Sequence, residues 1–245
     1  MQVERWSGRV IGGPLTDVYV YQAPVRIWHW VTMVCVIVLG VTGYLIGAPP
    51  SAGFGEPVYG FQMGWIRMIH SSAGMVLAYA FLVRIYWVFA GNPHARDIFL
   101  PPMWSGAFWR GLFSDIRSYL FLSPVEERWV GHNPLALMGM FFMFVLGTIV
   151  LILTGFALFA QAYGWGSAWM NWFGWVTALL GSPQAVRTVH HLAMWYLYIF
   201  ILIHVYMVFR QDVMGRTTIV SSMISGIRMF KDEPRGYADK RREAK

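Results

Sequence analysis

Residues 189–209 read VHHLAMWYLYIFILIHVYMVF, an apolar run without a charged side chain. An α-helix of this length crosses the ~30 Å hydrocarbon layer of a membrane. His190 and His204 both lie in this run. Their spacing is almost four helical turns, so both side chains leave the same face, about 21 Å apart. Ionisable side chains inside a membrane span are costly and indicate function. The run therefore predicts a transmembrane helix that offers one histidine at each of two depths.

The composition of the whole chain indicates a membrane protein. Of its 245 residues, 57% are hydrophobic and only 13% are charged, which lies outside the range of soluble domains. The first apolar run begins about 26 residues into the chain, too late for a cleavable signal peptide. We predict an all-α protein, an integral-membrane four-helix bundle, with a single domain over residues 1–230 and a polar cytoplasmic tail over 231–245. The four predicted spans cover approximately residues 27–48, 68–90, 135–160 and 189–209.

Basic residues beside the spans predict the orientation of the chain, because Lys and Arg mark the cytoplasmic side. The N-terminal arm, the central loop and the tail carry nearly all of them, and the segment from Arg210 to Lys245 alone holds nine of the 19. The other two loops, residues 49–67 and 161–188, hold one each. We therefore predict that both termini are cytoplasmic. The pI near 9.7 follows from this topology and from attraction to anionic lipid, without a nucleic-acid partner.

Three features outside the apolar runs also carry predictions. Residues 104–122 of the central loop alternate apolar side chains with charged ones such as Asp115, which predicts a helix in the cytoplasmic interface. Asn133 followed by Pro134 predicts a capped helix start. The outer loop is rich in tryptophan, which is typical of the headgroup belt or of a surface that seats a partner. Its tryptophans are Trp165, Trp169, Trp172 and Trp175.

The predicted topology sorts four histidines into two pairs. The first span enters from the cytoplasm, so His29 lies near its inner end, and His204 lies near the inner end of the fourth. The second and fourth spans both start outside, which places His70 and His190 near the outer surface. His29 and His204 therefore form a predicted inner pair, and His70 and His190 a predicted outer pair.

Two histidine pairs at two depths are typical of a membrane protein with two haems. Bis-histidine ligation fills both axial positions of an iron and favours electron transfer over catalysis. The only cysteine, Cys35, lies in the first span and no C-x-x-C-H is present, so we expect two haem b groups held noncovalently. Arg84 follows His70 at the same spacing by which His204 follows His190. It is predicted to pair with a propionate of the inner haem, with a snorkelling arginine as the alternative. Three glycines lie close to the histidine directions and would leave room for a flat macrocycle: Gly40, Gly47 and Gly74.

A single histidine at a helix start has a simpler interpretation, as an interfacial residue bonded to water or backbone. The joint spacing of the four histidines favours haem ligation instead. His191 points about 100° away from His190 and is predicted not to be a ligand. His94 and His132 lie in the cytoplasmic loop and are predicted to be solvated or structural.

Several stretches together resemble the cytochrome b subunit of membrane-bound nickel–iron hydrogenases. The first of them, A-P-x-R-x-x-H-W, would also suit the haem subunits of formate dehydrogenases and related reductases. The set covers most of the chain between Tyr19 and Phe230. The matching stretches are Ala23–Trp30, Gly64–Met75, Arg84–Trp87, Gly131–Pro134, Thr154–Leu158, His190–Trp195, His204–Met207 and Arg210–Asp212.

The resemblance implies a multi-pass subunit of the bacterial cytoplasmic (inner) membrane. Such a subunit anchors the small and large hydrogenase subunits on the periplasmic face and passes their electrons to quinone, without itself carrying the hydrogen-activating site. It also implies that His70 and His190 ligate the haem nearest the hydrogenase, and that His29 and His204 ligate the haem nearest the cytoplasm. One departure is Val186, where the family can offer a further histidine.

Two other functions stay open at this point. The chain could be the haem b subunit of a formate dehydrogenase or another iron–sulfur reductase, which copurification would distinguish. It could also be a non-redox membrane anchor or small transporter with interfacial histidines, which predicts a colourless protein.

Overall fold

The structure is a computed structural model that describes residues 16–50, 60–122, 129–215 and 218–230. Contacts within the chain define two compact units. Unit 1 consists of Met1–Arg26, Tyr86–Gly147 and Tyr196–Lys245, and unit 2 of Ile27–Ile85 and Thr148–Trp195. The single domain over residues 1–230 stays a prediction, and the predicted tail from residue 231 lies outside the described residues.

Four helices in the described part of the chain are long and apolar enough to cross a membrane. Large apolar side chains such as Leu82, Phe89 and Leu202 are exposed on them, as a lipid-facing surface requires. These four helices coincide with the four predicted spans. They cover Ala23–Gly47 (α1), Gln62–Ala90 (α2), Pro134–Tyr163 and Pro183–Val213.

Two of these helices begin six residues before their predicted starts at 68 and 189. The last helix, α8, continues two residues beyond its candidate span and covers Pro183–Gly215. Ser182 caps it by accepting a hydrogen bond from the Ala185 N–H at 3.1 Å, and proline suits the first helical turn. The helix thus begins at a cap, whereas the predicted start marks where the sequence becomes apolar. His190 consequently lies two turns inside α8 instead of at its start.

The third span contains a change of helical winding that the sequence did not predict. It consists of α5 (Pro134–Gly139), a π-helical segment (Met140–Val145) and α6 (Leu146–Tyr163). The predicted cap is confirmed, because Asn133 Oδ1 accepts the Ala136 N–H at 2.7 Å. A cap of this kind contributes about 1 kcal/mol to helix stability.

The tryptophan-rich outer segment is a helix, α7 (Ala168–Leu180), which ends at Gly181 with a φ of 84°. The prediction of a loop there was wrong, because Ser167 supplies an N-cap to the Met170 N–H at 3.2 Å. Trp169 packs on Phe156 and Phe159 of α6. Trp165, Trp172 and Trp175 are exposed.

The amphipathic stretch of the central loop forms α4 (Gly106–Tyr119), which follows the short α3 (Pro93–Arg96). Its helical character is confirmed. Asp115, which the sequence placed among the charged positions of this helix, is only 6% exposed. One of its carboxylate oxygens accepts the Leu135 N–H at 3.4 Å, because the first N–H groups of α5 have no partner within their own helix.

The described residues also contain a small antiparallel sheet, which the all-α prediction did not include. β1 (Thr16–Tyr19) pairs with β2 (Ile227–Phe230), which follows α9 (Ile219–Ser225), and Thr16 lies opposite Phe230. Gly226 adopts a φ of 84°, and a Cβ there would lie 2.6 Å from the Tyr21 carbonyl oxygen. The sheet therefore joins the segment before α1 to the segment after α9 within unit 1.

Arg228 of β2 belongs to the interior and not to a solvated basic tail. It is 1% exposed, and its Nη1 donates to the carbonyl oxygens of Trp129, Val130 and Gly131 at 3.0, 3.0 and 2.7 Å. Buried backbone carbonyls need such partners. Arg228 thereby holds the end of the central loop against the sheet.

Candidate haem site

His70 of α2 and His190 of α8 face each other in unit 2. Their ring centroids are 6.4 Å apart and their planes make an angle of 72°. A bond of about 2 Å to a metal on each side, plus the radius of each ring, gives a centroid separation of about 6 Å. The two imidazoles thus have the separation that axial ligation of one iron requires, and the residues present fit a haem.

A threonine hydroxyl contacts the second ring nitrogen of each histidine in this pair. Thr42 Oγ1 of α1 lies 2.9 Å from His70 Nδ1, and Thr154 Oγ1 of α6 lies 2.8 Å from His190 Nδ1. Both threonines are buried. These bonds leave the Nε2 atoms for a metal, since a ligating histidine commonly uses its other ring nitrogen in a hydrogen bond.

A glycine follows each of these threonines and contacts the same histidine ring. A Cβ on Gly43 would lie 3.2 Å from His70 Cε1, and a Cβ on Gly155 would lie 3.3 Å from His190 Cε1. Either contact is tighter than usual, so a side chain would push the ring away. The sequence had named Gly74 for this purpose, yet a Cβ there would meet Leu39 Cδ2 at an ordinary 3.9 Å.

His191 has a different environment from its neighbour. Its ring is exposed, contacts Trp195 edge-on and lies 3.3 Å from the position of a Cβ on Gly47. Val186 is fully buried and packs with Ala157 and Val176 in the core of unit 2. Val186 therefore has a packing role at the position where the chain departs from the family pattern.

His29 and Arg84 both lie in unit 2. The Arg84 guanidinium is 5.3 Å from the ring centroid of Trp28, the residue next to His29, and the Arg84 side chain is only 2% exposed. An arginine that snorkels to water would be more exposed. His29 Nδ1 is buried and has no hydrogen-bond partner among the residues that the structure describes.

His204 lies in unit 1, where its ring stacks on Phe200 with centroids 5.4 Å apart. The structure therefore brings the predicted outer pair together within one unit and divides the predicted inner pair between two. Ligation of one haem by His29 and His204 stays a prediction, as does a propionate contact of Arg84.

A polar cluster in unit 1 surrounds His132. Tyr21 Oη lies 3.4 Å from His132 Nε2, and His94 Nδ1 lies 3.6 Å from Asp97 Oδ2. Burial lowers the pKa of His132 to about 3, and the negative charge of Asp97 acts in the opposite direction. Burial also raises the pKa of Tyr21. The positive charge of His204, a predicted haem ligand, also lowers the pKa of His132.

The sequence profile of one family, prokaryotic cytochrome b561, matches residues 20–226. This chain belongs to the prokaryotic cytochrome b561 family. The "Probable Ni/Fe-hydrogenase B-type cytochrome subunit" of Azotobacter chroococcum mcd 1 is 50% identical over 218 residues, which cover 89% of this chain and 91% of the relative. The protein of the same name from Cupriavidus necator is 48% identical and covers 90% and 91%. The "Probable Ni/Fe-hydrogenase 1 B-type cytochrome subunit" of Escherichia coli K12 is 42% identical, with 87% and 91% covered.

These similarities confirm the resemblance seen in the sequence. As a cytochrome b561 family member with four membrane-spanning helices, the chain is a multi-pass membrane protein. Cytochromes of this type carry haem b, which histidine ligands hold. The matched residues include all five of the predicted site residues: His29, His70, Arg84, His190 and His204.

The sequence analysis of this cytochrome missed the Thr-Gly pairs at residues 42–43 and 154–155. A signal for them was present, because Val41–Tyr44 reads VTGY and Leu153–Phe156 reads LTGF. Each is an apolar residue, Thr, Gly and an aromatic residue within a membrane span. The contact of Tyr21 with His132 had no such signal, since 111 residues separate them.

The low pKa of His132 predicts that the cytochrome becomes less stable in acid. The unfolded chain binds a proton at His132 below a pH of about 6.5, whereas the folded chain does so only near pH 3. The stability due to neutral His132 is thus present above pH 6.5 and is lost as the pH falls towards 3. We expect the thermal midpoint of the detergent-solubilised protein to fall between pH 7 and pH 4, and to fall less in His132→Gln.

The groups that face His132 both raise and lower its pKa. The slope of thermal midpoint against pH, compared between wild type and His132→Gln, is therefore more informative than either midpoint alone. An equal slope in wild type and His132→Gln would show that His132 takes up its proton in the folded protein. The charged or titratable neighbours of His132 are Tyr21, His94, Asp97, His204 and Arg228.

Proposed function

We propose that this cytochrome b561 is the membrane subunit of a nickel–iron hydrogenase, and that it carries electrons from the hydrogenase across the membrane to quinone. The observation that carries the proposal is the facing of His70 and His190 at 6.4 Å. The names of the relatives, at 42–50% identity over most of both chains, support the partner. Two haem b groups, when bound, supply one-electron carriers at two depths of the membrane.

The residues of the chain suit electron transfer rather than catalysis at the haems. If His70 and His190 both bound one haem iron, no ligand site on that iron would be left for a substrate. Thr42 and Thr154 hold the rings of the outer pair in place.

Exposed tryptophans near α7 mark the proposed partner surface, and unit 2 contains both α7 and the pair His70 and His190. We propose that the small and large hydrogenase subunits bind at this surface of unit 2, where Trp165, Trp172 and Trp175 are exposed. Tryptophan is enriched at the core of protein interfaces.

Quinone reduction is proposed in unit 1, near His204. Quinone takes up two protons with its two electrons, and unit 1 contains the titratable pair Tyr21 and His132, of which His132 is affected by the charge of His204. Asn133 is less suited to bind quinone, because its Oδ1 caps α5 and its Nδ2 donates to Tyr119 Oη. Inward transfer against an inside-negative potential costs about 2.3 kcal/mol per electron per 100 mV. Proton uptake from the cytoplasm would thus conserve energy from hydrogen.

Arg84→Leu should affect the inner haem and leave the outer haem intact. Arg84 is buried against Trp28, beside the proposed inner ligand His29, and its guanidinium suits a propionate. We expect quinone reduction to fall by at least about tenfold, the effect of losing roughly 1.4 kcal/mol of charge-assisted contact. An assay of quinone reduction would measure this fall, and a haem-specific redox titration would show which haem is affected. Arg84→Lys serves as an intermediate variant. Equal loss of both haems would instead indicate a folding defect.

The proposed function is tested by a reduced-minus-oxidised visible spectrum of the purified chain with a haem-to-protein ratio. Two b-type haems per chain, and reduction of both by hydrogen in the copurified complex, are expected. One haem would remove one of the proposed pairs, and none would return the protein to the anchor or transporter class. Copurification with a formate dehydrogenase instead would keep the haems and change the partner.

A further inference from the structure

Two helices that are far apart in the sequence present the same Thr-Gly pair to the two histidines of the outer haem. Thr42 and Gly43 of α1 contact His70, and Thr154 and Gly155 of α6 contact His190. The two Thr–His distances are nearly equal, at 2.9 and 2.8 Å. The Cβ-to-ring distances are 3.2 and 3.3 Å. Two independent copies of one geometry indicate a common role.

The backbone contacts of the threonines fix the direction of these hydrogen bonds. Thr42 Oγ1 donates to the Val38 carbonyl at 2.6 Å, and Thr154 Oγ1 donates to the Val150 carbonyl at 2.6 Å. A hydroxyl has only one proton, so each oxygen must accept its hydrogen bond from the histidine. Nδ1 is therefore the protonated nitrogen of both His70 and His190. Their Nε2 atoms then carry the free lone pairs that ligation needs.

We propose that Thr42 and Thr154 are positioning residues of the outer haem, which fix the tautomer, orientation and basicity of its two ligands. This inference rests on the proposed function, because it assumes that His70 and His190 bind iron. An acceptor at Nδ1–H makes the imidazole a stronger donor to the metal. It thereby stabilises the oxidised iron and lowers the midpoint potential. Gly43 and Gly155 allow the close approach that these short bonds require.

His29, a proposed ligand of the inner haem, has no threonine bonded to its ring among the described residues. His29 Nδ1 has no hydrogen-bond partner within the described part of the chain. A threonine also lies one turn from it, yet Thr32 Oγ1 makes no hydrogen bond to a described residue. Removal of the two Thr–Gly pairs should therefore leave the potential of the haem proposed at His29 unchanged.

The test is a potentiometric titration of the purified full-length chain with both haems, followed by visible and electron paramagnetic resonance spectra. Thr42→Val and Thr154→Val keep the shape of the side chain and remove the hydroxyl acceptor, while the backbone carbonyls of Leu39 and Leu151, which also bond these histidines, stay in place. We expect two haems per chain and an outer-haem midpoint that rises, so that the reduced form gains about tenfold, or ~59 mV for one electron. The low-spin ferric signal of the outer haem should shift too, because it depends on the angle between the ligand planes. Thr42→Ser and Thr154→Ser should restore both readouts.

Two buried threonines provide matched controls on the same helices. Thr32 of α1 and Thr148 of α6 are buried, and their hydroxyls make no hydrogen bond among the described residues. Thr32→Val and Thr148→Val should leave the outer-haem midpoint and spectrum unchanged. An equal shift in these controls, or no shift in Thr42→Val and Thr154→Val, overturns the inference.

The remaining outcomes separate this inference from the proposed function. Loss of the outer haem in the valine variants with recovery in the serine variants supports the positioning role. Loss in both sets shows that the site depends on packing and overturns it. If His70→Ala retains two haems with unchanged spectra, the ligand assignment itself fails, and with it the proposed function.

Discussion

Replacing His70 by alanine should remove one of two haems and leave the other spectroscopically unchanged. His70 faces His190 at the separation that a shared iron requires, and an alanine has no donor to take its place. The haem-to-protein ratio should fall by half, and the remaining haem should keep its midpoint potential. His190→Ala should give the same result, because the two side chains serve one iron. Hydrogen-dependent reduction of the remaining haem should fall to background, since electrons are proposed to enter through the outer haem.

The matched control for this experiment is His191→Ala. His191 is adjacent to His190, but its ring is exposed and rests against Gly47 and Trp195. This variant should retain both haems. A full haem complement in His70→Ala, or loss of a haem in His191→Ala, would contradict the assignment. Helix content from circular dichroism shows whether either variant is misfolded.

The outer histidine pair was predictable from the sequence because it depends on the period of the α-helix. Helical geometry places residues that are almost four turns apart on one face, and the topology of the spans brings His70 to the level of His190. Hydropathy predicted the membrane spans, because each span is a long apolar run. It predicted the ends of the helices less well, because α8 begins where Ser182 can cap it and not at the first residue of the uncharged run.

The contacts that depend on tertiary structure could not be read in this way. The repeated Thr-Gly pattern does not say which histidine Thr154 will contact, since His190 lies 36 residues away. The same holds for Arg228, whose three carbonyl partners lie far earlier in the chain. In the sequence Arg228 looks like one more basic residue of a cytoplasmic tail. A buried arginine and an exposed one differ only in what the rest of the chain packs around them.

Replacing His29 by alanine should interrupt electron transfer between the outer haem and quinone. His29 and His204 are proposed to ligate the inner haem, and neither is one of the histidines that the Thr–Gly pairs contact. Loss of either should halve the haem content while the outer haem keeps its spectrum and potential. In the complex, hydrogen should still reduce that haem within a single turnover. Hydrogen-dependent quinone reduction should fall to background, because no carrier then connects the outer haem to the quinone.

The combination of these two readouts distinguishes the direction of transfer. If electrons entered at the inner side, His29→Ala would abolish reduction of the outer haem by hydrogen, and His70→Ala would spare the inner one. If quinone were reduced directly by the outer haem, His29→Ala would retain quinone reduction. Loss of the same haem in His29→Ala and His204→Ala would establish their pairing, which the sequence predicts from depth. Loss of different haems would show that the depths were matched wrongly, because each iron would then have drawn its ligands from another pair of helices.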